Sequence, residues 1–505
     1  MPVLTRDGRS ECFTLVDTLC RAEELAAVSA ATAGETVALL EYLLALCYAS
    51  GTCPTTVTEW VDWVHDEASL ADAAHWLRER PDPHWDLFHP TEPLGQNALL
   101  APYLDTHGVG PAQLVMEHAG DYNQLFDHHH LDHSAPLPAA AAFRAMLAQH
   151  AYGPSGRARI SGKETLGPTL TNLAAGRLGT RLRVIALGKT LGNTLRLNLA
   201  PTSRPPGRFN RTWTVSPEPR RGFLAKPQGR TIDGPADLHT VLGRSILMRP
   251  TLTDDGQVAV DRVLLAAGEL LDPLPAHQMP DAVYDADADG TGPVKPLRPS
   301  AARALWREAH ALYAAVAERD HGPDLYDRLA RLGTRRISLW AVGLLAKQAT
   351  LLTWVSDTFP FVPGRERALR YAAERGSLIA EYIASCLSRA AYVSWTVTYP
   401  NPKPADKSGQ IARFDARPEH WAAAADPFHA LLEGTTTAHS DNEVDAALLA
   451  YAIELAGGAR QFLRNRLDSL PANSRGFQAR AQALRRLEHD LTGDKAPDEL
   501  KGDTT

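Results

Sequence analysis

The spacing of apolar positions divides the chain into three textures. Through residue 150 it is helical: Glu35 to Ala49 is apolar almost throughout, as in a helix buried on all sides, and Ala139 to His150 forms another behind Pro138. From Arg181 the pattern predicts short strands at Arg183–Leu187, Thr194–Leu199, Ser245–Met248 and Gln257–Ala266, the second alternating Leu with polar residues. Pro201 to Gly229, dense in Pro, Gly and Arg, reads as an irregular surface loop. Beyond Pro299 apolar residues recur at three and four. Ser300 is a candidate N-cap for a helix carrying Leu305, Ala309, Leu312, Tyr313 and Val316, and Thr334 for an apolar helix from Arg335 to Val355. Further helices carry Leu378, Tyr382, Ile383, Cys386 and Leu387, then Leu448, Leu449, Ala452, Ile453 and Leu455, then Leu484, Leu487 and Leu491. The predicted fold is α+β: a mainly helical N-terminal domain with small mixed β-sheets over 1–298, followed by an all-α four-helix bundle over 299–505. The boundary falls in the Pro-rich stretch Pro293 to Pro299.

Composition adds compartment and charge. The 505 residues include five cysteines, at 12, 20, 47, 53 and 386, none spaced C-x-x-C; the odd number suits reduced thiols. Met1-Pro2-Val3-Leu4 runs straight into Arg6 and Asp7, unlike a signal peptide, and Lys347 and Gln348 interrupt the most apolar stretch, Ile337 to Val355, which excludes a membrane span there. A cytoplasmic protein is expected. The net charge is −7, but fifteen Arg and Lys residues lie between Arg157 and Arg230 against only Glu164 and Glu218, so this tract carries +13. Such a concentration on an acidic chain suggests a phosphate-binding face.

Several local motifs suggest chemistry. Asp127-His-His-His-Leu-Asp-His133 contains an H-x-H-x-D-H pattern (His128, His130, Asp132, His133) that could hold two metals for hydrolysis. That chemistry needs a preceding apolar strand, which Asp121 to Phe126 does not provide. It also needs later histidines in suitable contexts, and His150 comes too soon while His239 sits in an ordinary polar segment. A metal-dependent hydrolase is therefore the alternative reading and a polar loop the preferred one. Ser161-Gly-Lys-Glu-Thr165 and Leu187-Gly-Lys-Thr190 resemble phosphate loops, but Arg157 and Arg183 stand where a Walker loop needs its first glycine. Asp285, Asp287 and Asp289 open like a calcium loop, yet Pro296 occupies the position of the bidentate Glu. No nucleophile–base pair is evident. What remains is a glycine-rich basic loop, Tyr152 to Lys163, whose exposed amides beside Arg157, Arg159 and Lys163 suit phosphates or base edges.

Several stretches, in order, resemble CasA, the large-subunit family of type I-E CRISPR Cascade complexes. They are Met1-Pro-Val-Leu4 with Asp7-Gly8, Phe88-His-Pro90 with Pro93 and Gln96, Asn123-Gln-Leu-Phe126, the glycine loop at 153–162, Leu187 to Leu191 with Thr194 to Leu199, Leu242 to Leu247, and Ala304 to Arg307. The resemblance implies an N-terminal α/β domain joined to a four-helix bundle, with no catalytic centre and no cofactor. It implies a protein that reads the protospacer-adjacent motif (PAM) on double-stranded DNA through a glycine loop, a lysine finger and a hairpin wedge that splits the duplex. The expected partners are guide CRISPR RNA, target DNA, the other Cascade subunits and a helicase-nuclease recruited after R-loop formation, with no membrane. By the same resemblance, Asn123, Gln124 and Phe126 form the loop that contacts the guide handle and senses the PAM. The glycine loop falls either at Gly153 to Gly156 or around Gly162, which gives Gly153, Ser155, Gly156, Arg157, Arg159, Gly162 and Lys163 as its candidate residues. The wedge falls between Tyr284 and Lys295, with Asp287, Asp289, Gly290 and Thr291 near its tip, and Arg220, Arg221 and Lys226 are lysine-finger candidates. The wedge segment departs from the family in having no Gln and three aspartates. Like charge beside phosphates is unfavourable, so the wedge is either altered or inserts by its Gly-Thr-Gly tip.

Overall fold

The computed structural model describes residues 1–118, 135–158, 166, 170–213, 229–275, 278–279, 281–285, 295–300, 304–317, 325–333, 335–347, 350–400 and 406–501. The chain divides into two compact units. The first comprises Met1–Ala302, Arg319–Gly333 and Ile337–Thr358; the second comprises Arg303–Glu318, Thr334–Arg336 and Phe359–Thr505.

In the first unit, β1 (Pro2–Thr5), β2 (Ser10–Cys12) and β3 (Leu25–Val28) form a sheet of order β2-β1-β3. Helix α1 (Ala33–Ala49) follows, capped by Thr32, whose hydroxyl accepts from the Glu35 amide. It is buried on nearly every face, which is why its sequence shows no amphipathic period. After β4 (Leu137–Pro138), helix α2 (Ala139–Tyr152) packs against α1. Short strands β5 (Gly156–Arg157) and β6 (Asn172–Leu173) then pair with each other, followed by β7 (Arg183–Leu187) and helix α3 (Leu191–Asn198). Beyond β8 (Gly229–Arg230), the long strands β9 (Arg244–Leu252) and β10 (Val258–Ala267) make an antiparallel hairpin joined on its far side by β4. Strand β11 (Leu270–Leu271) pairs parallel with β8, and β12 (Tyr284–Asp285) antiparallel with β13 (Lys295–Pro296). The β9–β10 hairpin has a core on each face. Ile246, Met248, Val260, Val263 and Leu265 join the main core with α1 and α2, whereas Leu247, Leu264 and Ala266 join a smaller one with Leu100, Ala158 and Trp213.

Two sequence expectations fail here, each for a physical reason. Thr194 to Leu199 is not a strand, because α3 occupies this span with all eight of its residues buried. The polar residues that created the alternation also point inward and are satisfied. Thr194 Oγ1 accepts from the Gly188 amide at 3.0 Å, Arg196 pairs with Glu23 at 2.6 Å, and Asn198 bonds Ala186 through both its amide atoms. Burial on all sides erases the period that separates helix from strand. Arg335 to Val355 is likewise not a helix but two strands, β14 (Ile337–Lys347) and β15 (Thr350–Phe361), in a sheet of order β15-β14-β7. The stretch is rich in β-branched and aromatic residues, and the polar Lys347-Gln348 break falls where β14 ends rather than inside a helix.

The second unit is helical around one long element. Helix α4 (Ala309–Ala317) follows a 3₁₀ turn over Leu305–Glu308, so Ser300 is not its cap. Helix α5 (Glu366–Thr398) packs against α4, α6 (Ala425–Thr437), α7 (Asp441–Leu467) and α8 (Ser474–Thr492). Ser440 caps α7 and Asn473 caps α8, each accepting from an amide three residues on. Of the expected apolar positions, Ile383, Cys386 and Leu387 on α5, Leu448, Ala452 and Leu455 on α7, and Leu487 and Leu491 on α8 are buried, whereas Leu378 and Ile453 are exposed and Tyr382, Leu449 and Leu484 are half-buried. Phe428 of α6 is fully buried between Trp306, Tyr451 and the Cβ-free surface of Gly376. Phe428→Ala is expected to cost about 3–5 kcal/mol, seen as a lower urea midpoint of the helical circular-dichroism signal. An unchanged midpoint would contradict this packing.

Candidate nucleic-acid interface

The glycine loop leaves α2 at Tyr152. Gly153 and Pro154 are buried, Ser155 and Arg157 are exposed, and the chain regains order through the β5–β6 ladder, which pairs Gly156 with Leu173 and Arg157 with Asn172. The Ala158 amide donates to Thr171 O at 2.7 Å, and the Ala158 side chain enters the small core under β9–β10. Ser155 and Arg157 are thus held at the surface beside this ladder. Gly153 is glycine for packing, since a Cβ there would lie 2.5 Å from Nη2 of Arg244. Arg159, Gly162 and Lys163 lie outside the described residues.

The basic tract is not the continuous phosphate-binding face that its sequence suggests. Seven of its arginines are tied to carboxylates contributed from outside the tract. Arg177 and Arg183 meet Glu41, Arg181 meets Asp281, Arg196 meets Glu23, Arg208 meets Asp233, Arg211 meets Glu92, and Arg230 meets Asp237 and Glu269. Arg181, Arg183 and Arg196 are almost wholly buried. Arg157, Lys189 and Arg204 are exposed. The Arg220, Arg221 and Lys226 candidates lie outside the described residues.

At the centre of this pairing Glu41 of α1 receives Arg183 Nε at 2.8 Å, His239 Nδ1 at 2.7 Å, and the Arg177 guanidinium. Arg183 lies 3.4 Å from Asp281, which Arg181 Nη1 bonds at 2.6 Å. Burial alone would raise the Glu41 carboxyl, but Arg177, His239 and Arg183 outweigh it and hold it well below the usual carboxylate range. Asp281 is lowered by the same balance, burial opposing Arg181 and Arg183.

The structure also shows why Leu187 to Thr190 is no nucleotide site. Thr190 caps α3 and donates to Glu23 at 2.7 Å, while Asn193 and Arg196 bind the same carboxylate. An internal anion therefore occupies the helix N-terminus that a phosphate would need. The His128–His133 cluster, and Asn123, Gln124 and Phe126 beside it, lie outside the described residues. Among the described residues no group of His, Cys, Asp and Glu is placed to hold a metal. Both later histidines are engaged elsewhere. His150 bonds Gly95 O through Nε2 at 2.8 Å and accepts the Arg244 amide at Nδ1, and His239 stacks on Tyr48 while bonding Glu41.

The structure contains two hairpins relevant to a wedge. Tyr284 pairs with Pro296 and Asp285 with Lys295, giving a ladder of two residues per strand, and Asp287, Asp289, Gly290 and Thr291 between them lie outside the described residues. The second, β14–β15, has strands of eleven and twelve residues flanking Gln348 and Ala349, themselves outside the described residues. Sequence reasoning missed it by reading the stretch as a helix; the available signal was its β-branched and aromatic content.

An N-terminal unit of small antiparallel sheets on buried helices, with a C-terminal helical unit, is the fold of several solved proteins. Thermus thermophilus CasA (Cse1) superposes with a TM-score of 0.75 at 21% identity, over 97% of this chain and 98% of that one. A chain of a CRISPR RNA-guided surveillance complex gives 0.67 at 19% identity, over 96% and 97%. In sequence, the CRISPR-associated protein CasA/Cse1 of Thermus thermophilus is 26% identical over 527 residues, covering 97% of each chain. The model of the family CRISPR-associated protein Cse1 matches residues 1–462, and the chain belongs to that family. Among the described residues no helix is long and apolar enough to cross a membrane.

The Glu41 site makes a pH-dependent prediction. Because its folded-state pKa lies below the unfolded one, Glu41 contributes stability that is fully present above the ordinary carboxylate value of ~4.3 and lost as pH falls through the folded value. Glu41→Gln leaves Arg177 and Arg183 facing a neutral group, and is expected to cost about 3–5 kcal/mol at pH 7 in urea unfolding. The difference from wild type should shrink only well below pH ~4. Equal stability at pH 7 would rule out this role.

Proposed function

We propose that this chain is the large subunit of a type I-E CRISPR RNA-guided surveillance complex and acts in recognition rather than catalysis. It reads the PAM on double-stranded DNA, helps open the duplex for guide pairing, and docks the helicase-nuclease. The observation that carries this reading is likeness along nearly the whole chain to a subunit of such a complex, combined with membership of the Cse1 family. The glycine loop supports it by presenting Ser155 and Arg157 at the surface beside the short β5–β6 ladder, with Arg159, Gly162 and Lys163 following in sequence. Asn123, Gln124 and Phe126 contact the guide handle in this reading, and Arg220, Arg221 and Lys226 remain the finger candidates.

With half the basic tract internally neutralised, affinity for DNA rests on a few loop cations rather than a broad face. Replacing Arg157, Arg159 and Lys163 together by Ser should lower the slope of log affinity against log salt by about 2–3, since each phosphate contact contributes ~0.9. An unchanged slope in the assembled complex would remove the loop from the DNA interface.

A second reading of the wedge is favoured by the β14–β15 hairpin. A part that separates base pairs must resist bending, and a long ribbon anchored through β7 does so better than a two-residue ladder. Gln348 also supplies the residue type that the family resemblance places in a wedge and that 284–295 lacks. Gln348→Ala is expected to slow strand separation in a fluorescence assay while leaving duplex binding in place. If 284–295 is the wedge instead, Asp287→Asn with Asp289→Asn will speed separation by reducing repulsion, and Gln348→Ala will have no effect.

A further inference from the structure

Arg244, the first residue of β9, is 1% exposed, and among the described residues no carboxylate faces it. Its guanidinium instead donates to three backbone carbonyls from separate segments. Nη2 bonds Pro154 O at 2.8 Å, and Nη1 bonds Ala174 O at 2.6 Å and Gly243 O at 2.8 Å. Its surroundings are built for close approach. A Cβ at Gly153 would lie 2.5 Å from Nη2 and 2.6 Å from Cζ, and one at Gly268 would collide with the Arg244 amide. Burial draws its pKa down to about 10, so it stays charged at neutral pH. A buried cation held only by carbonyls is an expensive way to fill space, because an apolar side chain of similar length would need no such compensation. What the arginine supplies is a planar fork that reaches several acceptors at once, which a lysine cannot reproduce.

The acceptors show what the fork controls. Pro154 lies in the turn between α2 and β5, and Ala174 directly follows β6, the strand that pairs with β5. Backbone ties run beside the fork, with the Gly176 amide donating to Gly153 O at 2.8 Å and the Leu178 amide to Ala151 O at 2.8 Å. The start of the glycine loop at Pro154 and the end of its partner strand at Ala174 are therefore referred to β9 through one side chain. We propose that Arg244 is the positioning residue of the glycine loop, fixing where Ser155 and Arg157 stand and so how sharply the chain discriminates the sequence flanking the target. The proposal rests on the reading of residues 153–157 as a DNA-contacting loop.

The test uses the guide-loaded complex carrying wild-type chain, Arg244→Lys, Gly153→Ala, or Ser155→Ala with Arg157→Ala. Two quantities are read: hydrogen exchange at the amides of Gly156 to Ala158, and enrichment of a preferred flanking motif from duplexes with a randomised flank beside a matched target. Arg244→Lys keeps the charge but not the fork, and Gly153→Ala displaces the fork from the loop side. Both are expected to speed exchange at 156–158 and to reduce enrichment by about tenfold, the scale of one lost charge-assisted hydrogen bond. Exchange in α1 and the salt dependence of binding should not change. Unchanged exchange at 156–158 in both variants would overturn the proposal, as would loss of protection throughout α1, which would make Arg244 a folding residue. If the Ser155, Arg157 variant loses enrichment while the Arg244 and Gly153 variants keep it, the positioning role alone fails. If the Ser155, Arg157 variant keeps full enrichment, the DNA-contacting reading of the loop fails, and the proposal with it.

Discussion

Glu41 lies in the middle of a helix with almost no exposed surface, and its charge is balanced by groups that arrive from distant parts of the sequence. Arg177 comes from the turn after β6, Arg183 from β7 and His239 from a short helix beyond residue 234, while Asp281 bridges Arg183 to Arg181. Each ionised group is buried at a cost that only the complete set repays, so the elements that carry them must assemble together. The rest of the first unit depends on this constraint. It fixes β7, on which β14 and β15 are laid, and it fixes the segment from which the glycine loop and β6 are suspended.

The same pairing reshapes the protein's electrostatics. Read as a string, residues 157–230 form a strongly cationic patch. In the folded chain Arg177, Arg181, Arg183, Arg196 and Arg230 are spent on holding helices, strands and loops together. The second unit behaves likewise, with Arg375 on Glu499, Arg389 and Arg486 on Asp490, and Arg460 on Glu488. A protein whose arginines are largely internal partners, and whose net charge is −7, has little capacity for indiscriminate DNA binding. In the proposed role, contact with nucleic acid falls to a few exposed loop cations, which suits checking sequence rather than coating DNA.

Much of the architecture was legible because it follows from burial period. The long helices of the second unit show apolar spacing of three and four, which marks buried positions at Ile383, Cys386, Leu387, Leu448 and Leu455 but also Leu378 and Ile453, which are exposed. Strands β9 and β10 were legible as the apolar runs Ser245–Met248 and Gln257–Ala266, and the fold pairs them as a hairpin. Periodicity fails where both faces of an element are covered, which is why α3 reads as a strand, whereas β14–β15 reads as a helix because its apolar run continues through a largely half-exposed β15. The pairing of the basic tract was hidden for a different reason: its carboxylates at 23, 41, 92, 233, 237, 269 and 281 lie outside the tract, and only the fold brings them to it. Arg244 was hidden similarly, since nothing in the sequence distinguishes an arginine that binds carbonyls from one that faces solvent.

The central claim is that this chain supplies the sequence check on the flank of the target. The most direct test is to bind duplexes with a matched target and a randomised flank to the guide-loaded complex, with and without this chain. Enrichment of a short flanking motif only in its presence is the predicted result. Equal recovery of all flanks, with or without the chain, would contradict the claim.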